Sequence, residues 1–572
     1  AWIDSVERGQ QPDLTEARKM IEKLRYRPVF SILMPCYETP PQFLREAIAS
    51  VQNQHYPYWE LCLVDDASPS NGIIPIAMMF AATDARILPK RRRQNGHISA
   101  ASNTALHMAH GDWVVLMDHD DLLDQGALLE LAVEINRYPE SQIIYSDEDK
   151  IDGSGTRFGP YFKPDFDPDL LLGQNMISHM GAYRRDLLLA IGGFREGLEG
   201  SQDHDLALRA CAACPVGAVR HIPAMLYHWR QQADEASFSE TAMEKCISAS
   251  RRAVADYLLA CGVEASISPA PLVPFFHRVH FLVPSPTPKV SIIIPIHDGK
   301  IQSGDHSKSL LEKTSYPNVE VIISDNEAMA DHQNSIAAED LSWIQDRFDS
   351  FARSFTHSQL INSGVSRSAG DVILVLDPNT EVLDPDWLTE MVSLAVRPEI
   401  GAVGAKLLDE HRKVAHGGFI LGMKGYGDIA GHYGAGAEYD DPGPSGCLAL
   451  LRSVSAVSRA CLAVRRKLYY EVGGLDGINL LLGFNDVDLC LKLREAGYRN
   501  VWTPFAELRN RNWPSIEFDI IGENSRILES DAFYMRRRWG ASLEEDRYWN
   551  PHLSLITRRR DIATQSRRKT GR

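Results

Sequence analysis

Two tandem α/β domains, each Rossmann-like with a mostly parallel sheet, are predicted by three observations. Residues 30–39 (FSILMPCYET) and 290–299 (VSIIIPIHDG) repeat one pattern, and the match stays in step: Pro35 with Pro295, Pro57 with Pro317 and Asp65 with Asp325, each 260 residues on. Within each copy, short apolar strands alternate with helical patterns, the signature of parallel strands joined by crossover helices. A chain of 572 residues also exceeds what one hydrophobic core supports.

Residues 1–28 read as an N-terminal helical appendage, with Leu14, Ala17, Met20, Ile21 and Leu24 at helical spacing and Pro28 as its end. A strand at 29–34, a helix at 43–51 and a strand at 59–64 follow, the last closed by Asp65 and Asp66. A helix at 99–109 and a strand at 113–117 come next, running into Asp118, His119, Asp120 and Asp121. Ligands of open α/β sheets bind outside the carboxyl ends of the strands, so the two acid groups should meet in one cleft. Pro-rich stretches at 269–274 and 284–288 read as a stiff connector, after which the cycle restarts. The expected division is a first domain at 29–283, a linker at 284–288, a second domain at 289–515 and a helical C-terminal extension with a basic tail at 516–572.

The net charge of −16, with no basic domain, argues against a general nucleic-acid binder. Basic residues collect only at the end, at Arg558, Arg559, Arg560, Arg567, Arg568 and Lys569, a tail that either frays in solvent or touches an anionic membrane surface. Nine cysteines, an odd number in a long chain, favour a reducing compartment over a disulfide framework. The one close pair, Cys211 and Cys214, follows an apolar rhythm and reads as buried helix residues. No apolar run approaches the ~18 residues of a membrane span and no signal peptide opens the chain. A cytoplasmic location is therefore expected, with peripheral contact at the inner face of the cytoplasmic membrane through the tail. The missing initiator methionine leaves room for residues ahead of Ala1.

Asp118-His119-Asp120 is the candidate for chemistry. Alternate residues of an extended segment point the same way, so two carboxylates would share one side, a donor set suited to Mg²⁺ or Mn²⁺ on a diphosphate rather than to Zn²⁺. Alone, such a triplet is a common surface feature. It stands here in ordered company: the opening strand with Pro35, Tyr37 and Glu38, then Asp65 and Asp66, Asn95 and Gly96, and Asn103. YSDEDK at 145–150, Gly192-Gly193-Phe194, GSQDHD at 200–205 and YHWR at 227–230 follow. With these residues the first copy resembles family 2 glycosyltransferases of the GT-A fold across nearly all of 29–283. The whole chain resembles the tandem two-domain enzymes that build bacterial O-antigens, capsules and related polysaccharides.

The resemblance implies a nucleotide-sugar donor and a glycan or lipid-linked glycan acceptor. Pro35, Tyr37, Glu38, Asp65 and Asp66 would hold the nucleoside, with Asp66 on the base, and Asn95, Gly96, Asn103, Asp118 and His119 would complete the donor site. Asp118, Asp120 and His228 would bind Mn²⁺ or Mg²⁺. Asp203 would be the base that takes the acceptor proton, a contribution of about 10²- to 10⁴-fold.

The second copy is not equivalent. Asn326 stands opposite Asp66, Asn379 stands opposite Asp120, and residues 504–511 contain no histidine. Relatives usually show Thr-Gly-Ala where this chain has Ser458-Arg459-Ala460. Asp325, Asp377, Asn379 and Asp486 remain as its candidate site, with Asn362 opposite Asn103 and Asp486 opposite Asp203. This half is either an active transferase of altered metal or donor use, or a degenerate domain that packs, scaffolds or binds acceptor glycan; three losses at one site favour the second. A wholly non-enzymatic glycan-binding scaffold is opposed by the intact first constellation. A nucleotidyltransferase is opposed by residues 35–41, which lack glycine and lysine.

Overall fold

The computed structural model describes residues 12–231, 243–296, 310–325, 355–424, 427–511, 513, 523–557 and 561–568. Of the sequence expectations, those on residues 297–299, Asn326, Arg558, Arg559, Arg560 and Lys569 lie outside the described residues. The N-terminal helix is Leu14–Lys23. Asp13 caps it, its side chain accepting from the Thr15 and Glu16 N–H groups at 2.8 Å each, and Ala17 and Ile21 are buried against the first sheet.

In the first domain β1 (Phe30–Cys36), β2 (Trp59–Asp65), β3 (Ile87–Arg91) and β4 (Trp113–Leu116) run parallel in the order β3-β2-β1-β4. Every residue of β1 is buried, as befits a continuous apolar run covered on both faces. Helices Pro41–Gln52, Ile73–Ala81 and His97–Met108 make the crossovers. Beyond β4 the sheet is mixed. It continues through β8 (Gly181–Arg184), β6 (Ile143–Ile151), β9 (Val219–Arg230) and β5 (Leu122–Leu123), with β7 (Arg157–Tyr161) paired to β6. β6 and β9 are parallel; the other pairs here are antiparallel. The expected parallel order thus holds on the side where β1, β2 and β4 end. The remaining pairs, apart from β6 with β9, are antiparallel.

Residues 269–274, expected as part of a connector, instead belong to a hairpin, β10 (Ala265–Ala270) with β11 (Val273–Phe281). In the second domain β12 (Val290–Ile296), β13 (Val319–Asp325), β14 (Val372–Leu376), β15 (Thr380–Val382), β16 (Ile400–Leu408), β21 (Cys461–Arg465) and β22 (Arg499–Asn510) form a sheet in the order β13-β12-β14-β21-β16-β22-β15. β17 (Val414–His416) pairs with β16 and β20 (Arg452–Val454) with β22, and β18 (Phe419–Leu421) pairs with β19 (Ala430–His432).

The duplication is exact enough in the ladders to equate residues by position. Phe30 faces Trp59 and Trp113, as Val290 faces Val319 and Val372. Trp113 faces Arg184, as Val372 faces Arg465. Leu122 and Leu123 face His228 and Tyr227, as Glu381 and Val382 face Arg509 and Leu508.

The two halves are tied by a buried ionic junction. Asp169, in the short helix Pro168–Gly173, accepts from Arg397 and Arg499 of the second domain at 2.6 Å each, and Asp167 accepts from the Ser453 backbone and hydroxyl at 2.6 and 2.9 Å. Helix Glu523–Trp539 packs on the second domain, where Trp539 Nε1 donates to Asp488 at 3.0 Å. The chain then returns to the first domain. Asn550 Nδ2 donates to Asp147 at 2.8 Å, His552 meets the Pro223 carbonyl at 2.8 Å, and Arg568 pairs with Glu130 at 2.6 Å. Arg567 reaches the Asn550 and Leu553 carbonyls. These two arginines, expected in a tail free to touch a membrane, are spent inside the molecule because the extension straps both domains. Among the described residues no helix is long and apolar enough to cross a membrane.

Candidate active site

The site lies where β1, β2 and β4 end. Asp65 closes β2 opposite Cys36 and is fully buried; it accepts from the Ser68 N–H at 3.0 Å and pairs with Arg91 at 3.4 Å. Asp66 is also buried. Its carboxylate is gripped by Arg92 and by the Gly96 N–H at 3.1 and 3.2 Å, while Asn95 Nδ2 donates to its carbonyl at 3.1 Å. A Cβ at Gly96 would lie 2.6 Å from the Arg92 guanidinium, so a larger residue there would displace the arginine. Arg92, not anticipated from sequence, is paired with Asp66 and packs over Gly96. Glu38 accepts from the Ser70 N–H at 2.8 Å, and Pro35 and exposed Tyr37 complete this rim.

Asn103, expected in the donor site, is committed elsewhere. Both ends of its amide pair with the Phe194 backbone, at 2.8 and 2.9 Å, fastening the turn after Gly192-Gly193. Asn362 makes the same clasp on Leu475 in the second copy, so the residue belongs to the scaffold.

The acidic triplet is a turn, not an extended segment. β5 must pair antiparallel with β9, so the chain reverses within 118–121, and β9 holds the reversal. Tyr227 Oη donates to Asp121 at 2.6 Å and accepts from the Asp118 N–H at 3.0 Å, while the Arg230 N–H donates to Asp121 at 2.7 Å and its Nε to the Asp120 carbonyl at 2.6 Å. His119 lies 3.8 Å from the Asp120 carboxylate.

The expected ligand set Asp118, Asp120 and His228 is not brought together. Successive side chains of a strand leave opposite faces, so Tyr227 reaches the turn and His228 turns away to Asp149, 2.6 Å from its Nδ1. His228 lies within β9. The structure groups Asp118, Asp121 and His179 instead, with ligand atoms within 4.8 Å of one another. Burial, then the charges of Asp120 and Asp203, push the Asp118 carboxyl above its ordinary value against the pull of His179 and His119. Burial, Asp120 and Asp118 push Asp121 further still. Crowded, desolvated carboxylates beside an imidazole are a donor set that a hard or borderline divalent cation relieves.

Asp203 sits in the first turn of helix Gln202–Ala213, close enough to raise Asp118. Its Oδ2 accepts from Asn175 Nδ2 at 2.7 Å. Cys211 and Cys214, expected as buried helix residues, are unbridged but only half-buried, and Cys214 lies just after the helix. The residues missed by sequence reasoning, Asp121, Asn175, His179 and Arg92, carry no spacing signal; each reaches the site through a loop whose path the ladders fix.

Ladder position gives the second copy's counterparts. Asp118, Asp120 and Asp121 correspond to Asp377, Asn379 and Thr380, His179 to Ala460, and Tyr227 and His228 to Leu508 and Arg509. One carboxylate of the cluster survives. Asp377 Oδ1 accepts from the Asn379 N–H at 2.8 Å, Asn379 Nδ2 at 3.2 Å and Asn510 Nδ2 at 3.0 Å. Asp486, opposite Asp203, accepts from the Arg459 N–H at 3.0 Å. Asp325 ends β13 opposite Ile296, as Asp65 ends β2.

A model of Glycosyl transferase family 2 matches residues 31–192 and 291–469. An uncharacterized protein, y4gI, of Sinorhizobium fredii is 38% identical over 94% of this chain and 59% of its own length. The O-antigen biosynthesis protein RfbC of Myxococcus xanthus is 34% identical over 97% of this chain and 42% of its own length. The chain thus spans about half the length of these relatives. Among solved structures, S. aureus TarS 1-349 in complex with UDP-GlcNAc is 21% identical, with 40% of this chain and 66% of that one covered at a TM-score of 0.34.

Proposed function

Since the chain belongs to Glycosyl transferase family 2, we propose that its first domain moves a sugar from a nucleotide-sugar to a glycan acceptor by a metal-dependent, inverting displacement in bacterial surface polysaccharide synthesis. The observation that carries this reading is the convergence of Asp203 with the Asp118, Asp121 and His179 cluster at the ends of β1, β2 and β4. Asp203, oriented by Asn175, takes the proton of the acceptor hydroxyl as that oxygen attacks the anomeric carbon from the face opposite the nucleoside diphosphate. Asp118, with Asp121 and His179, would hold Mn²⁺ or Mg²⁺, which when bound neutralises charge on the departing diphosphate. The Asp65 and Asp66 rim, with Arg92, faces the nucleoside.

The test is transfer and donor hydrolysis by the full chain with Mn²⁺ across UDP-, GDP- and dTDP-sugars. Asp203→Asn should lower kcat about 10²- to 10⁴-fold. Asp118→Asn should abolish the Mn²⁺ response, and wild-type rates in either variant would refute the assignment.

The second domain we read as degenerate, serving to pack, scaffold or bind glycan. Asp377 is satisfied by neutral amides where the first domain crowds acids, which supports a site with no call for a cation. Calorimetric titration should find one Mn²⁺ per chain, lost in Asp118→Asn and kept in Asp377→Asn; two equivalent sites would favour a bifunctional enzyme instead.

A further inference from the structure

Lys163 is fully buried, beside the acid cluster but outside the chemistry described above. Its ammonium donates to Glu148 Oε2 at 3.1 Å and to the carbonyls of Ile177 and His179 at 2.8 and 2.6 Å. Glu148 Oε2 in turn accepts the His179 N–H at 2.9 Å. His179 is thus gripped on both sides of its backbone, the carbonyl by Lys163 and the N–H by Glu148. The ring is fixed as well. It stacks on Tyr227, with centroids 4.5 Å apart and planes 10° from parallel, and the same tyrosine pins Asp118 and Asp121. A lysine is seldom buried unless its donors are met, and here all three acceptors lie on or next to the segment that carries His179.

The second copy supports the coupling. At the ladder position of His179 it has Ala460, and three residues along β16 from Gly404, the counterpart of Tyr145, stands Leu407 in place of Glu148. The imidazole and the acceptor that holds its backbone are absent together.

We propose that Lys163 and Glu148 are positioning residues that set the His179 imidazole as a cation ligand beside Asp118, a role that rests on the metal-dependent reading above. Neither residue touches the cation or the substrate. Residues that orient a ligand from behind are worth about 10- to 100-fold in metal affinity, which sets the scale.

The experiment is calorimetric titration of Mn²⁺ onto the full chain, with melting temperatures recorded for each protein. His179→Ala should weaken binding at least tenfold, Lys163→Met should weaken it by a similar factor, and the double variant should bind no more weakly than His179→Ala alone. If Lys163→Met does not fold, Glu148→Leu, which removes the acceptor shared by the His179 N–H and the Lys163 ammonium, replaces it in the same cycle. Wild-type affinity in the folded clamp variant, or an additive loss in the double variant, overturns the proposal, as does undiminished binding by His179→Ala. Failure of the wild type to bind Mn²⁺ overturns the metal-dependent reading itself, and the clamp falls with it.

Discussion

Asp169→Asn removes the anionic centre of the junction between the two domains. Asp169 is buried and bonded at 2.6 Å to both Arg397 and Arg499. Burial alone would raise its carboxyl, but the two guanidinium groups hold it down to about 2 from an ordinary 3.8. That difference corresponds to about 2 kcal/mol of stability at neutral pH. Removing one member of a buried pair costs about 3–5 kcal/mol when the partner cannot rehydrate, and the arginines here retain 17% and 21% side-chain exposure, which places the loss toward the lower end. A cost of about 2–3 kcal/mol is therefore expected from urea unfolding at pH 7. The pH dependence has a definite sign. A carboxyl whose folded value is depressed stabilises above its unfolded value near 3.9, and that stability is lost as pH falls through about 2. The gap between wild type and Asp169→Asn should stay constant from pH 7 to about 5 and narrow below about 4. A variant within about 0.5 kcal/mol of wild type at pH 7 would show that the arginines rehydrate freely, and the junction would then not carry the coupling assigned to it.

Two further perturbations test the scaffold of the site. Tyr227→Phe takes one donor from buried Asp121 and one acceptor from the Asp118 N–H; a loss of about 1–3 kcal/mol in urea unfolding and weaker Mn²⁺ binding are expected, and an unchanged Mn²⁺ isotherm would detach the tyrosine from the cluster. Asn550→Ala strips the fully buried Asp147 of its only described donor to Oδ2, so the first domain should lose about 1–3 kcal/mol although the substitution lies in the C-terminal strap; an unaltered unfolding midpoint would mean that the strap does not brace that domain.

How much of this was legible in the sequence depends on distance along the chain. The Pro35/Pro295 and Asp65/Asp325 matches located both copies of the β1-β2 unit, because apolar strands with fixed alternation and helix crossovers are written locally. The acid turn was legible as composition and misread as geometry. Whether 118–121 extends or reverses is decided by β9, more than 100 residues later, through Tyr227 and Arg230. The family resemblance points to His228, yet a strand offers alternate residues to opposite faces, and the register set by Leu122 and Leu123 gives the cluster Tyr227 instead. His179 had no motif to announce it, since its position depends on a grip by Lys163 and Glu148 that spans three separate segments.

The comparison of the two copies separates what the fold requires from what the proposed site requires. Asn103 and Asn362 make the same clasp at the same place, so what the scaffold needs has been kept in both. In the first copy burial and neighbouring acids disfavour the charged forms of Asp118 and Asp121, a cost that folding alone gives no reason to bear. The second copy has exchanged Asp120, Asp121 and His179 for Asn379, Thr380 and Ala460, and Asp377 is satisfied from within by amide donors. Each difference removes a charge or a titratable group. An acidic cluster present in one copy and neutral in its twin is the pattern expected if the proposed cation and diphosphate occupy the first copy alone.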